Sequence, residues 1–178
     1  MKKDHRWSEA DVAAYEDSSN VPKGIPVIDI GIDPGKNVGV AVLEVNSSPP
    51  NWIVLKTMAF WPAAVMLRSI ILDTENYYVR KAVVEDPRLI PCTYRRNSAK
   101  DSEGVIDMKA QGVGNVKENA RLWCEFFEHY GVKVKKVRPG AVPTKLSKSA
   151  FSRRTGTDVK TAYHACEHGR DAGCLLIF

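Results

Sequence analysis

The sequence contains no apolar run close to the roughly 20 residues that would cross a bilayer as a helix. Its four cysteines, Cys92, Cys124, Cys166 and Cys174, form no C-x-x-C pair and stand at no zinc-site spacing with a histidine. A zinc module is therefore excluded, and the cysteines read as free, mostly buried thiols of a reducing compartment. There is no internal repeat and no low-complexity tract, which argues against a solenoid, a collagen-like fibre or a coiled coil. Residues 1–20 carry Asp4, Glu9, Asp11, Glu16 and Asp17 and no apolar stretch, so they do not read as a secretory leader. The expectation is a soluble, cytoplasmic protein without a membrane partner.

Acids are scarce in one particular place. Between Gly131 and Lys160 the basic residues are Lys133, Lys135, Lys136, Arg138, Lys145, Lys148, Arg153, Arg154 and Lys160, against the single acid Asp158. The whole chain carries a formal +5. Such a stripe suits a polyanionic partner, although a solvated face would look the same. The remaining composition, 44% hydrophobic and 26% charged over 178 residues, is that of one globular domain.

Residues 1–24 read as a flexible or partly helical arm, with Ser8 as a helix cap and Ser18 to Gly24 as a linker. The domain proper is expected over 25–178. Val27, Ile28, Ile30 and Ile32 predict a buried first strand, and Asp33-Pro34-Gly35 a turn. Val38 to Val45 predicts a second strand and Trp52 to Met58 a third. Pro62 opens a helix with Val65, Leu67, Ile70 and Ile71 inward. Val79 to Glu85 is a fourth strand. The stretch from Asp86 to Gly114 shows no period and reads as a long functional loop carrying Arg88, Arg95, Arg96 and Lys100. Asn115 then caps an amphipathic helix that Gly131 stops. Val132, Val134 and Val137 form an edge strand. Pro143 to Gly156 is a basic helix, and Thr157 caps a last helix running nearly to Phe178. Three strands in a meander followed by strands alternating with helices imply an α/β fold, a five-stranded mixed sheet with helices on both faces.

Three carboxylates occupy rigid positions in this scheme. Asp33 ends the most buried strand, where a charge is costly unless paired or metal-bound; a turn residue accepting the amides of Gly35 or Lys36 is the competing reading. Glu85 ends Ala82-Val83-Val84, and Asp86 after it points to the other face. Asp171 lies in His168-Gly169-Arg170-Asp171-Ala172-Gly173, with His168 and Glu167 both placed to share its helix face. Glycine costs a helix roughly 1 kcal/mol, so Gly169 and Gly173 imply close packing on the sheet. Carboxylates gathered in this way are what hydrolysis of a phosphodiester by two divalent cations requires, one cation activating water and the other stabilising the leaving oxygen.

Asp29-Ile30-Gly31-Ile32-Asp33-Pro34-Gly35 with Val38-Gly39-Val40-Ala41-Val42, then Val83-Val84-Glu85, Val137-Arg138-Pro139, Lys145, Thr155-Gly156, Lys160 and His168-Gly169-Arg170-Asp171-Ala172 resemble, in order, the RuvC-like Holliday-junction resolvases. These belong to the ribonuclease H-like, retroviral-integrase superfamily, and the likeness is to its divergent phage-borne members. The resemblance implies a ribonuclease H-like nuclease domain, a homodimer, two Mg²⁺ per site with Mn²⁺ as substitute, and paired nicking of four-way or branched DNA. It implies that Asp33, Glu85, His168 and Asp171 are the catalytic metal ligands and that Lys145 and Lys160 hold the cleaved phosphate region. Lys148, Arg153, Arg154, Arg88, Arg95 and Arg96 are the further candidate DNA contacts. Arg88 stands where the family often has an aromatic wedge. Other outcomes weighed against this are a ribonuclease H-like nuclease acting on flaps or RNA, a non-catalytic branched-DNA-binding module, and an actin-like or sugar-kinase ATPase, for which the chain is too short.

Overall fold

The computed structural model describes residues 24–45, 47–90 and 103–178, with side chains from residue 108 onward in the last segment. The arm, apart from Gly24, and Arg95 and Arg96 lie outside the described residues. Five strands form one sheet in the order β3-β2-β1-β4-β5: β1 Val27–Asp33, β2 Val38–Glu44, β3 Trp52–Met58, β4 Tyr78–Glu85 and β5 Val134–Val137. The β1–β2 and β2–β3 pairs are antiparallel, and β1–β4 and β4–β5 are parallel. The α/β class, the meander and the parallel crossovers are thus those the sequence predicts.

Side-chain alternation sorts the sheet into two faces. Ile28, Ile30 and Ile32 of β1, Val38, Val40 and Val42 of β2, and Ala82 and Val84 of β4 join one core with Leu67, Trp123 and Phe127. Those partners come from helix α1, Phe60–Leu72, and helix α2, Glu103–His129. The opposite face carries Asp29, Gly31 and Asp33, Gly39 and Ala41, and Val83 and Glu85. It is covered by α5, Glu167–Ile177, assisted by α3, Lys148–Thr155, and α4, Val159–His164. Asp29, buried on this face, is neutralised by Arg80 at 2.6 Å and Lys81 at 3.4 Å.

Several boundaries differ from expectation. Helix α1 opens at Phe60, so Pro62 lies inside the first turn, where its missing N–H costs nothing. Ala63, Ala64, Leu67 and Ile71 form its buried side, and Val65 is exposed. Helix α2 begins at Glu103, twelve residues before Asn115, so much of the expected loop is helical. A helix nucleated on its anchored half propagates through a polar stretch without needing an apolar period. Helix α3 starts after Ser147, whose hydroxyl accepts the Ala150 amide, not at Pro143; it ends at Gly156 with φ +72°, as predicted. The last helix is two helices. Asp158 caps α4 by accepting the Lys160 and Thr161 amides, because the Thr157 hydroxyl is taken by Trp52 Nε1 at 2.9 Å and by Thr155. Ala165 and Cys166 are extended and separate α4 from α5. Cys124, Cys166 and Cys174 are free thiols, and of these only Cys166 is exposed.

Candidate active site

The first acid is placed by the strand that ends on it. Asp33 is the last residue of β1, and the Asp33-Pro34-Gly35 turn is tied down by Asn119 of α2, whose Nδ2 donates to the Gly35 carbonyl at 3.0 Å. Parallel pairing of Ile32 with Val84 puts Glu85 beside Asp33, one step further along neighbouring strands, and alternation turns both toward α5. Asp86 turns away. It is buried against the α2 side, where it accepts from the backbone amide and both ends of the guanidinium of Arg88. Arg88 in turn reaches Cys124 Sγ at 3.6 Å.

The third acid arrives on α5, and small residues let it come close. A Cβ added to Gly31 would lie 2.3 Å from the Ala172 carbonyl oxygen, and one added to Gly39 would lie inside the His168 carbonyl. The fit is less tight at Gly169, where a Cβ would lie 3.1 Å from the backbone of Lys56, and at Gly173, where it would lie 3.0 Å from the side chains of Leu55 and Phe151. The helix therefore rests on the sheet backbone itself, as the glycines of α5 predict; the matching strand glycines Gly31 and Gly39 complete the contact.

The result is a cleft of about 280 Å³ into which Asp33, Glu85, Glu167, His168 and Asp171 project. One ligand-capable atom from each of Asp33, His168 and Asp171 lies within 4.8 Å of the others. His168 Nδ1 is 2.9 Å from Asp33 Oδ2. Glu85 stands outside that trio but lines the same cleft. Its carboxyl is pushed up to about 7, first by burial and then by the charges of Asp33 and Asp171, with the Gly140 amide working the other way. Asp33 is raised by burial, which outweighs the hydrogen bond and charge of His168. Asp171 is raised by burial against the opposing hydrogen bond from the Lys145 amide. Three acids that burial makes harder to ionise, with an imidazole nitrogen among them, form a donor set short of positive charge. That chemistry fits divalent cations.

The sequence reading left open whether His168 or Glu167 assists Asp171. His168 reaches Asp33, while Glu167 lines the cleft and bears on both Asp33 and Asp171 through its charge. The sequence marks Lys145 only for its basic side chain, and the backbone amides of the segment after β5 are what it does not show. Lys145, with φ +55°, turns its backbone amide to Asp171 Oδ1 at 2.7 Å, and Gly140, with φ +80°, serves Glu85. The turn residues Pro139, Gly140 and Pro143 were the available signal for that segment. Of the candidate DNA contacts, Lys145, Lys148, Arg153, Arg154 and Lys160 are exposed on or beside α3 and α4. Lys148 lies over the Tyr163 ring at 4.9 Å. No helix among the described residues is long and apolar enough to cross a membrane.

Among solved structures, the chain is similar to RuvC of T. thermophilus in complex with a Holliday junction substrate: 15% identity, 85% of this chain and 89% of that one covered, TM-score 0.46. No protein-family model matches the sequence. No curated protein matches it.

Proposed function

We propose that the protein is a structure-selective, metal-dependent endodeoxyribonuclease of ribonuclease H-like fold, which resolves Holliday junctions or related branched DNA by paired nicks. The observation that carries this reading is the convergence of Asp33, His168 and Asp171 within 4.8 Å, with Glu85 on the same cleft. Asp33, Glu85, His168 and Asp171 are the residues that would hold two Mg²⁺, or Mn²⁺ in their place. Cations bound there would supply an activated water and would stabilise the leaving oxygen of an in-line displacement at phosphorus. His168 Nδ1 orients the Asp33 carboxylate, and the Lys145 amide fixes one oxygen of Asp171, leaving its other oxygen available. Burial and the neighbouring acids push the Glu85 carboxyl up to about 7, and cations held beside it would favour its ionised form.

The exposed cations Lys145, Lys148, Arg153, Arg154 and Lys160 lie on the segment flanking the cleft, where they would follow phosphates. Affinity that rests on such contacts falls steeply with salt. Two symmetric nicks require two sites, so the reading includes a homodimer.

The test is cleavage of a synthetic four-way junction in Mg²⁺, compared with linear duplex, a flap and an RNA duplex, with Asp33→Asn as control. Junction nicking by the wild type, lost in Asp33→Asn while binding persists, is the expected result. Preference for the flap or the RNA would transfer the same chemistry to a different nuclease. Binding without cutting in either metal would make the chain a DNA-binding module.

A further inference from the structure

Arg170 directly precedes the site acid Asp171 in sequence, yet its side chain points away from solvent and is only 8% exposed. A guanidinium taken out of water needs its donors satisfied. Here they go to backbone carbonyls: Nε donates to Leu146 O at 2.9 Å and Nη1 to Ala165 O at 2.5 Å. These two carbonyls stand at the two feet of a single excursion. Leu146 precedes α3 and Ala165 follows α4, so the segment between them begins and ends on the same side chain.

That excursion carries Lys148, Arg153, Arg154 and Lys160, all exposed. Its near foot adjoins Lys145, whose backbone amide donates to Asp171. Two adjacent residues of the foot thus bond two adjacent residues of α5. The amide of 145 meets the carboxylate of 171, and the carbonyl of 146 meets the guanidinium of 170. The middle of the excursion, between α3 and α4, is tied separately to β3 through Trp52 Nε1 and the Thr157 hydroxyl.

We propose that Arg170 is a positioning residue, which clamps both feet of the 147–164 excursion and so keeps its basic surface and the Lys145 amide in fixed register with the acids. It makes no contact with the reacting atoms. The catalytic half of the proposal rests on the nuclease reading above; the structural half does not. A lysine has no planar fork and cannot serve two carbonyls in the same geometry, so Arg170→Lys is expected to behave like Arg170→Gln.

The experiment uses the full chain with Arg170→Lys, Arg170→Gln and, as a stability control, Phe151→Leu, which loosens the core under the excursion and leaves the clamp intact. Hydrogen exchange of the Lys145 amide is expected to speed at least tenfold in both Arg170 variants and to stay near wild type in Phe151→Leu. On a four-way junction in Mg²⁺, kcat is expected to fall tenfold or more with KM within about threefold, because misplacement by an ångström is costly while phosphate contacts survive. The salt slope of junction binding should be unchanged. Unaltered Lys145 protection would overturn the proposal, as would a kcat that holds while the melting temperature drops. A salt slope reduced by about one would instead make Arg170 a phosphate contact. If the wild type does not cut DNA, the nuclease reading fails, and the exchange measurement still decides whether Arg170 clamps the excursion.

Discussion

Gly39 on β2 and His168 on α5 are in backbone contact: a Cβ built on Gly39 would stand 1.9 Å from the His168 carbonyl oxygen and 3.1 Å from Asp33 Cβ. The same histidine reaches Asp33 through its ring at 2.9 Å. The separation between the closing helix and the first acid is therefore set by the lack of a side chain at position 39. Because the clashing atom is backbone, no rotamer change relieves it. Gly39→Ala is expected to destabilise the fold by about 1–3 kcal/mol, the range for overpacking. It is also expected to abolish nicking at temperatures where the variant remains folded. Urea melts paired with junction cleavage check this, and an active, equally stable variant would contradict the packing described.

Glycines on α2 should behave in the opposite way. Gly112 and Gly114 lie inside a continuous helix, and an added Cβ would meet nothing within 4 Å at either. Alanine there removes the entropic cost of glycine without a clash. Each of Gly112→Ala and Gly114→Ala is expected to stabilise by about 0.5–1 kcal/mol. Thermal melts of the two single variants and the double variant measure this. A loss of stability would mean that residues 103–114 do not form the first part of α2.

These two outcomes mirror what was legible in the sequence. The site acids were readable because strand alternation and the Asp33-Pro34-Gly35 turn are local rules, and Gly169 and Gly173 announced a tight helix. The five strands followed from apolar runs for the same reason. The first half of α2 was not readable, since a helix that buries little on that stretch displays no 3.6-residue apolar period. The break between α4 and α5 at Ala165 and Cys166 was hidden because neither residue is a proline or glycine, and the start of α4 was hidden because Thr157 and Asp158 are both good caps. Only the distant Trp52 indole, bonded to Thr157, decides between them. Arg170 and the Lys145 amide were missed because each of their bonds has a backbone atom at one end, and no side-chain pattern marks a main-chain carbonyl or amide.

Without bound metal, the crowding of acids should appear as a pH dependence of stability. The Glu85 carboxyl rises from 4.5 to about 7 on folding, and those of Asp33 and Asp171 also rise. A raised acid binds protons more tightly in the folded state. Its cost is absent below the unfolded value, grows as pH climbs between the two values, and is complete above the folded one. The melting temperature of protein in EDTA is therefore expected to fall between about pH 4.5 and pH 7. Glu85→Gln cannot ionise and should melt a few degrees above wild type at pH 8, with the two converging at acid pH. Solvent screening at this half-buried site keeps the gap modest. Added Mg²⁺ should narrow it further by stabilising the wild type.

His168 brings a nitrogen donor into an otherwise carboxylate site. Imidazole suits Mn²⁺ better than Mg²⁺, which prefers hard oxygen ligands and exchanges its waters reluctantly. His168→Asp replaces that nitrogen with a carboxylate at the same helical position, facing Asp33. Two effects then compete. The extra negative charge raises affinity for either cation, and the harder donor shifts the balance toward Mg²⁺. The first effect cancels in a ratio and the second does not. The ratio of junction-nicking rates in Mn²⁺ and Mg²⁺, each at saturating metal, is thus expected to drop several-fold in His168→Asp. The histidine is about half exposed, so the substitution should leave the melting temperature in Mg²⁺ close to wild type. An unchanged rate ratio would place His168 outside the ligand set, as a partner that orients Asp33 alone.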